Sequence, residues 1–190
     1  HAVVEQQARD MRGGAGAGRA VLQLGLVRFH VGDKLGQGVG GKVVAYDQDA
    51  GMYASRLWWL LRYAGHAAVA VLDGGWAAWS REGRPARSGD ETRVPVTFPL
   101  SPGLEHPVLV DEVAAALRDR ERLLVDARAP ERYEGRVEPI DRVPGHIPGA
   151  VNHFFKSNVN EQGVMLPPDT LRENFARVLG GKDPAQVIAV

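Results

Sequence analysis

"KVVAYDQDAGMYASRLWWLLRYAGHAAVAVLDGGWAAW", residues 42–79, decides the fold class. Its first residues, "KVVAY", are a short apolar run suited to a buried strand. Leu57, Trp58, Leu61 and Tyr63 or Ala64 then recur at helical spacing, and Gly65 stands where a helix stops. "AVAVLDGG" (68–75) is a second buried strand entering a glycine turn, and "WAAWSREG" (76–83) is a short helix closed by glycine. Strand, helix, strand, helix in so short a span implies βα units, and βα units build parallel sheets.

Downstream the pattern breaks and then restarts. Prolines, charges and small polar residues make "RPARSGDETRVPVTFPLSPGLEHP" (84–107) a linker or an extended crossing segment. Asp111 is placed to cap the helix "EVAAALRDR" (112–120). "RLLVDAR" (122–128) is a buried strand that ends in polar residues. "VEPIDRVPGHIPGAVN" (137–152) is a proline- and glycine-rich loop leading into a short strand. "PPDTLRENFARVLGG" (167–181) is a helix with prolines at its start and glycines at its end. "AQVIAV" (185–190) is the next strand. These make two α/β units, the first without a credible beginning and the second without its end.

Upstream, residues 1–41 differ in character. Gly13, Gly14, Gly16 and Gly18 crowd one stretch, and Gly32, Gly36, Gly38, Gly40 and Gly41 another. Dense glycine raises the entropy cost of ordering, so poor structure is expected there. "AVLQLGLVRFHV" (20–31) between them has the content of a strand without clean alternation.

The totals exclude several classes. Apolar residues make up 44% of the 190, enough for a core. Formal net charge is zero, which argues against nucleic acid or an anionic membrane surface as the main partner. No apolar stretch approaches the roughly 20 residues that span a bilayer. No export signal is visible, so a cytoplasmic location is expected. There is no cysteine, which removes disulfides and thiolate chemistry from these residues. The six histidines lack metal-ligand spacing, so no metal or other cofactor is expected.

"GQGVGGKV" (36–43) imitates two phosphate-binding motifs, G-x-G-x-x-G through Gly36, Gly38 and Gly41, and most of a P-loop through Lys42. Both need a helix after the loop, so that N–H groups face the phosphate, and here a strand follows. Val43 also stands where a P-loop needs a hydroxyl for magnesium.

The carboxyl ends of strands are where parallel sheets hold ligands. "VAYDQDAG" (44–51) brings Asp47 and Asp49 to one such end. Two acids there repel an anion, and capping of the turn and helix start is the competing role. "LLVDARAPERYEGRVEP" (123–139) brings Asp126, Arg128, Arg132 and Arg136 to another. Arginine suits planar, bidentate recognition of oxyanions, and surface salt bridging is the alternative for any one of them. His146, inside "GHIPGAVN" (145–152), suits a structural histidine bonded to backbone better than a base.

Together these residues resemble the rhodanese family, the two-domain thiosulfate and 3-mercaptopyruvate sulfurtransferases. Residues 43–79 are similar to the back half of the family's inactive N-terminal domain. "LLVDARAPERYEGRVEPIDRVPGHIPGAVN" and "LPPDTLRENFARVLG" are similar to the front half of its catalytic domain. The resemblance implies an α/β fold of two rhodanese-like domains, with parallel sheets flanked by helices, both incomplete. The expected division is a poorly ordered or divergent segment 1–41, inactive-domain residues 42–85, a linker 86–106, and catalytic-domain residues 107–190.

The resemblance also implies an activity. In the family, the strand similar to "VIAV" is followed at once by a loop that begins with the catalytic cysteine and enters a helix. Such a loop favours the thiolate, which takes a sulfur from the donor as a persulfide and passes it to cyanide or a thiol. The cysteine is therefore expected beyond Val190, and no catalytic residue within the 190. By the same likeness Arg132 matches the donor-binding arginine, Asp126 the strand-end acid that organises the active loop, and Asp47 the acid that replaces cysteine in the inactive domain. Arg128 and Arg136 are not assigned. The implied partners are a small sulfur-containing anion and a thiol or cyanide acceptor. A rhodanese-like module that binds anions or proteins without chemistry is the alternative.

Overall fold

The computed structural model describes residues 28–31 (backbone only), 42–48, 50–86, 88 and 102–190. The first unit contains β1 (Arg28–Val31), β2 (Val43–Tyr46), α1 (Met52–Tyr63), β3 (Val69–Val71) and α2 (Gly75–Arg81). Its sheet runs in the order β1-β2-β3. β2 and β3 are parallel, with Val43 opposite Val69 and Ala45 opposite Val71, as a βαβ unit requires. β1 is antiparallel to β2, a pairing that needs no crossover helix. Within residues 1–41 only β1 is described, and the expectation for the rest lies outside the described residues, as do Asp49 and the glycines of "GQGVGG". A strand, β2, does follow that motif.

α1 forms because Ala54, Leu57 and Leu61 fall on one face. Ala54, Leu57 and Ala45 of β2 are buried together, and Leu61 packs against them. The helix stops at Ala64, with Gly65 in the left-handed region at φ 86°. The end of the linker docks there. Leu104 N–H donates to the Arg62 carbonyl at 3.0 Å, and Arg62 Nε pairs with Glu105 at 2.6 Å. At Gly103 a β-carbon would stand 2.5 Å from the Tyr63 carbonyl oxygen, so only glycine allows this approach.

The second unit contains α3 (Val110–Asp119), β4 (Leu123–Asp126), α4 (Pro130–Tyr133), β5 (Val151–Asn152), α5 (Pro168–Leu179) and β6 (Val187–Ala189). The order β5-β4-β6 is parallel throughout, with β4 in the centre. Ala116, Leu124, Ala150 and Ile188 make its core, and Val113, Leu117 and Ile147 pack on it. The cap expected from Asp111 is not there. The capping residue is Leu109, in extended backbone, and its N–H donates to the Glu112 carboxylate at 2.9 Å. Asp111 lies inside the first turn, where its charge favours the helix dipole without capping.

A hairpin closed by an antiparallel bridge between Val159 and Met165 links the units. Met165 N–H donates to the Asp73 carboxylate at 2.7 Å, and Val164 packs over Gly74. The second unit thus rests on the turn between β3 and α2.

Candidate functional site

Each unit ends its central strand in a buried aspartate, and the two aspartates have different surroundings. Asp47, 4% exposed, follows β2. Its Oδ1 accepts from Gly51 N–H at 2.9 Å, and its Oδ2 from Tyr53 and Ala54 N–H at 2.8 Å each. Those are donors of the residue before α1 and of its first turn, so the carboxylate caps the helix from outside it. The Asp47 carbonyl accepts from Trp76 N–H at 2.9 Å, which ties β2 to α2. A cradle of converging N–H groups at the end of a parallel strand is anion-binding geometry. Here the tethered carboxylate of Asp47 fills it.

Asp126, 3% exposed, ends β4. It accepts from Arg128 four times: backbone N–H at 2.9 Å, Nε at 3.1 Å to each oxygen, and Nη2 at 2.7 Å. Burial pushes its carboxyl up, but the Arg128 hydrogen bonds and charge outweigh this and hold it below the ordinary value. The same hydrogen bond to Asp126 raises Arg128. Arg128 Nη2 also donates to the Gly145 carbonyl at 2.7 Å, closing the loop that begins at Gly135.

Arg132 comes from α4, a single turn opened by Pro130. Its Nη2 stands 2.8 Å from Glu138 Oε1 and 3.1 Å from Asp141 Oδ2, and its Nε donates to Glu138 Oε2 at 3.3 Å. Arg128 Nη1 reaches the same two acids at 3.5 and 3.6 Å. Asp126, Arg128, Glu138, Arg132 and Asp141 thus form one continuous cluster. Glu138, its side chain 5% exposed, also accepts the N–H groups of Ile140 and Asp141 at 2.9 Å each. The Asp141 N–H bond, then Arg132, then the Ile140 N–H bond lower its carboxyl to about 2.

The structure brings Asp126 and Arg132 together, with Arg128 as the bridge, and places Asp47 in the other unit. Arg136 turns to Glu134 at the surface and does not join the cluster. His146 Nδ1 lies 2.8 Å from the Tyr133 carbonyl, and its ring stacks on Tyr133 at 3.7 Å. It is the backbone-bonded histidine that its loop suggested. Glu138, Asp141 and Asn152 were not singled out from sequence. The acids stand in a proline-broken loop without periodicity, which gives no signal for them. Asn152 donates through Nδ2 to the carbonyls of Asp126 at 3.0 Å and Arg128 at 2.9 Å, pinning the strand-end turn.

β6 delivers the chain to this cluster. Val190 N–H donates to the Val125 carbonyl at 2.9 Å, and the Val190 carbonyl accepts from Ala127 N–H at 3.4 Å. The backbone leaves Val190 beside the Asp126–Arg128 turn. Among the described residues, no group of three or more histidines and acids could hold a metal ion, and no helix is long and apolar enough to cross a membrane.

Comparison with known proteins identifies both units as rhodanese-like domain. The family model covers residues 30–82 and 109–190, and the chain belongs to the rhodanese family. The match begins ahead of Lys42, where the sequence motifs start. The chain is 38% identical over 149 residues to a probable 3-mercaptopyruvate sulfurtransferase of Pseudomonas aeruginosa, covering 78% of this chain and 52% of that protein. It is 37% identical over 146 residues to the human 3-mercaptopyruvate sulfurtransferase (75% and 49%), and 36% identical over 154 residues to the rat thiosulfate sulfurtransferase (77% and 52%). The crystal structure of SseA, a 3-mercaptopyruvate sulfurtransferase from Escherichia coli, superposes with a TM-score of 0.67 at 29% identity, covering 78% of this chain and 55% of that one. The chain thus spans about half the length of the relatives it matches.

Proposed function

We propose that this chain forms part of a sulfurtransferase. Its chemistry would move a sulfane sulfur from thiosulfate or 3-mercaptopyruvate to a thiol or cyanide, through a persulfide on a cysteine beyond Val190. One observation carries this: β6 leads the backbone out beside the Asp126–Arg128–Arg132 cluster, where a parallel sheet holds its ligands. The relatives named for the two donors support the substrate class.

Arg132 is proposed as the donor-anion contact. It is a fixed, always-charged fork at the strand ends, pre-oriented by Glu138. Asp126 holds Arg128, Arg128 holds Gly145, and this fixes the wall against which the loop after Val190 would pack. Asp47 marks the degenerate counterpart in the first unit, its anion cradle filled by its own carboxylate. The expected division into inactive-domain residues 42–85, linker 86–106 and catalytic-domain residues 107–190 is part of the proposal. So is a cytoplasmic location.

The test is the gene sequence immediately past the Val190 codon. A cysteine within a few codons, followed by a loop rich in small or basic residues, is expected. A cysteine-free continuation would make this a non-catalytic rhodanese-like protein.

A further inference from the structure

The two acids on Arg132 differ in a way that bears on which donor the site accepts. Glu138 is locked: its side chain is 5% exposed, it accepts two backbone N–H groups, and it holds the Nε and Nη2 edge of Arg132. Asp141 is 54% exposed. Its carboxylate holds Arg132 Nη2 at 3.1 Å and lies 3.6 Å from Arg128 Nη1. It is thus the most exposed acid of the cluster and contacts both guanidiniums from its margin. Within the cluster, the carboxylates of Asp126, Glu138 and Asp141 outnumber the guanidiniums of Arg128 and Arg132, so it is formally one charge negative.

We propose that Asp141 is a specificity-determining residue that competes with the donor for Arg132 and so disfavours dianions relative to monoanions. The inference rests on Arg132 being the donor contact. Thiosulfate is a dianion and 3-mercaptopyruvate carries a single carboxylate. Repulsion from a fixed charge scales with the ligand's charge, so Asp141 penalises thiosulfate about twice as heavily. A planar carboxylate can also take over a guanidinium edge from Asp141 like for like. Glu138 orients the arginine without entering this competition, because it does not face the solvent.

The test is titration of the polypeptide translated through the codons beyond Val190 with thiosulfate and, separately, with 3-mercaptopyruvate, followed by NMR of the arginine Nε–H signals. Wild type, Asp141→Asn and Arg132→Gln are compared. Asp141→Asn is expected to tighten thiosulfate binding about two- to fivefold, the scale of one exposed charge contact, and to tighten 3-mercaptopyruvate less. The difference should shrink at high salt, because the contact is exposed. If Arg132→Gln weakens both anions while Asp141→Asn changes neither, or changes both equally, the specificity role is overturned and the donor contact stands. If Arg132→Gln leaves binding unchanged, or the wild type binds neither anion saturably, the donor contact falls and the role of Asp141 falls with it.

Discussion

Glu138 grips Arg132 with both oxygens: Nη2 lies 2.8 Å from Oε1, and Nε lies 3.3 Å from Oε2. The arginine proposed to meet the donor is thus held in one orientation by a carboxylate that is almost entirely covered. The consequence can be read in acid. Glu138 titrates at about 2 in the folded chain, against an ordinary 4.5. A depressed folded value means the carboxylate contributes stability in full above 4.5 and loses it as pH falls through about 2. Stability measured by urea melts from pH 5 downward should therefore decline less steeply in Glu138→Gln than in wild type. Identical slopes would show that Glu138 is not held as described.

Asp47 is the keystone of the first unit. Asp47→Ala strips the acceptor from three N–H groups of the loop and first turn of α1, one of them buried. A loss of about 2 kcal/mol is expected in urea unfolding, on the scale of a lost cap plus uncompensated donors. Amide exchange at Tyr53 and Ala54 should rise with it. Unchanged exchange there would show that the cap is not the source of the loss.

Gly75 should not tolerate a side chain. Its φ is +54°, and a β-carbon would stand 2.5 Å from the Asp47 carbonyl oxygen, which accepts from Trp76 N–H. Gly75→Ala is expected to cost about 1–3 kcal/mol through backbone strain alone, with the contact adding to it. Gly83→Ala is the control. It shares a positive φ, but nothing lies within 4 Å of the added carbon, so the difference between the variants isolates the contact.

Asn152 holds the turn that carries Asp126 and Arg128 by donating to both carbonyls. Asn152→Ala should cost about 1–3 kcal/mol, the penalty for acceptors left without their donor. Asn152→Asp should be at least as damaging, because an ionised carboxylate offers no proton to those carbonyls. A melting temperature for Asn152→Asp equal to wild type would remove this residue from the account.

The alternation of strands and helices was legible in sequence because it rests on local periodicity and on Gly and Pro as stops: α1 ends before Gly65, and α5 opens on Pro168 and closes at Gly180. Asp47 and Asp126 were legible as polar residues at the ends of apolar runs. The cap of α3 was not. Asp111 and Glu112 both suit a helix start, and only the extended backbone at Leu109 decides that Glu112 reaches back. Glu138, Asp141 and Asn152 act through partners set by the closure of a proline-rich loop, and the Asp73–Met165 bond joins residues from different units. No spacing rule encodes contacts of that kind.

The central claim is that sulfur is carried at the position to which β6 delivers the chain, beside the Asp126–Arg128 turn. The most direct measurement is mass spectrometry of the polypeptide translated through the codons beyond Val190, after incubation with 3-mercaptopyruvate or thiosulfate. The gain of one sulfur atom is predicted on a cysteine in the peptide that follows Val190, removed by cyanide and formed more slowly in Arg132→Gln. A protein that gains no sulfur, or gains it elsewhere and at the same rate in Arg132→Gln, would contradict the account.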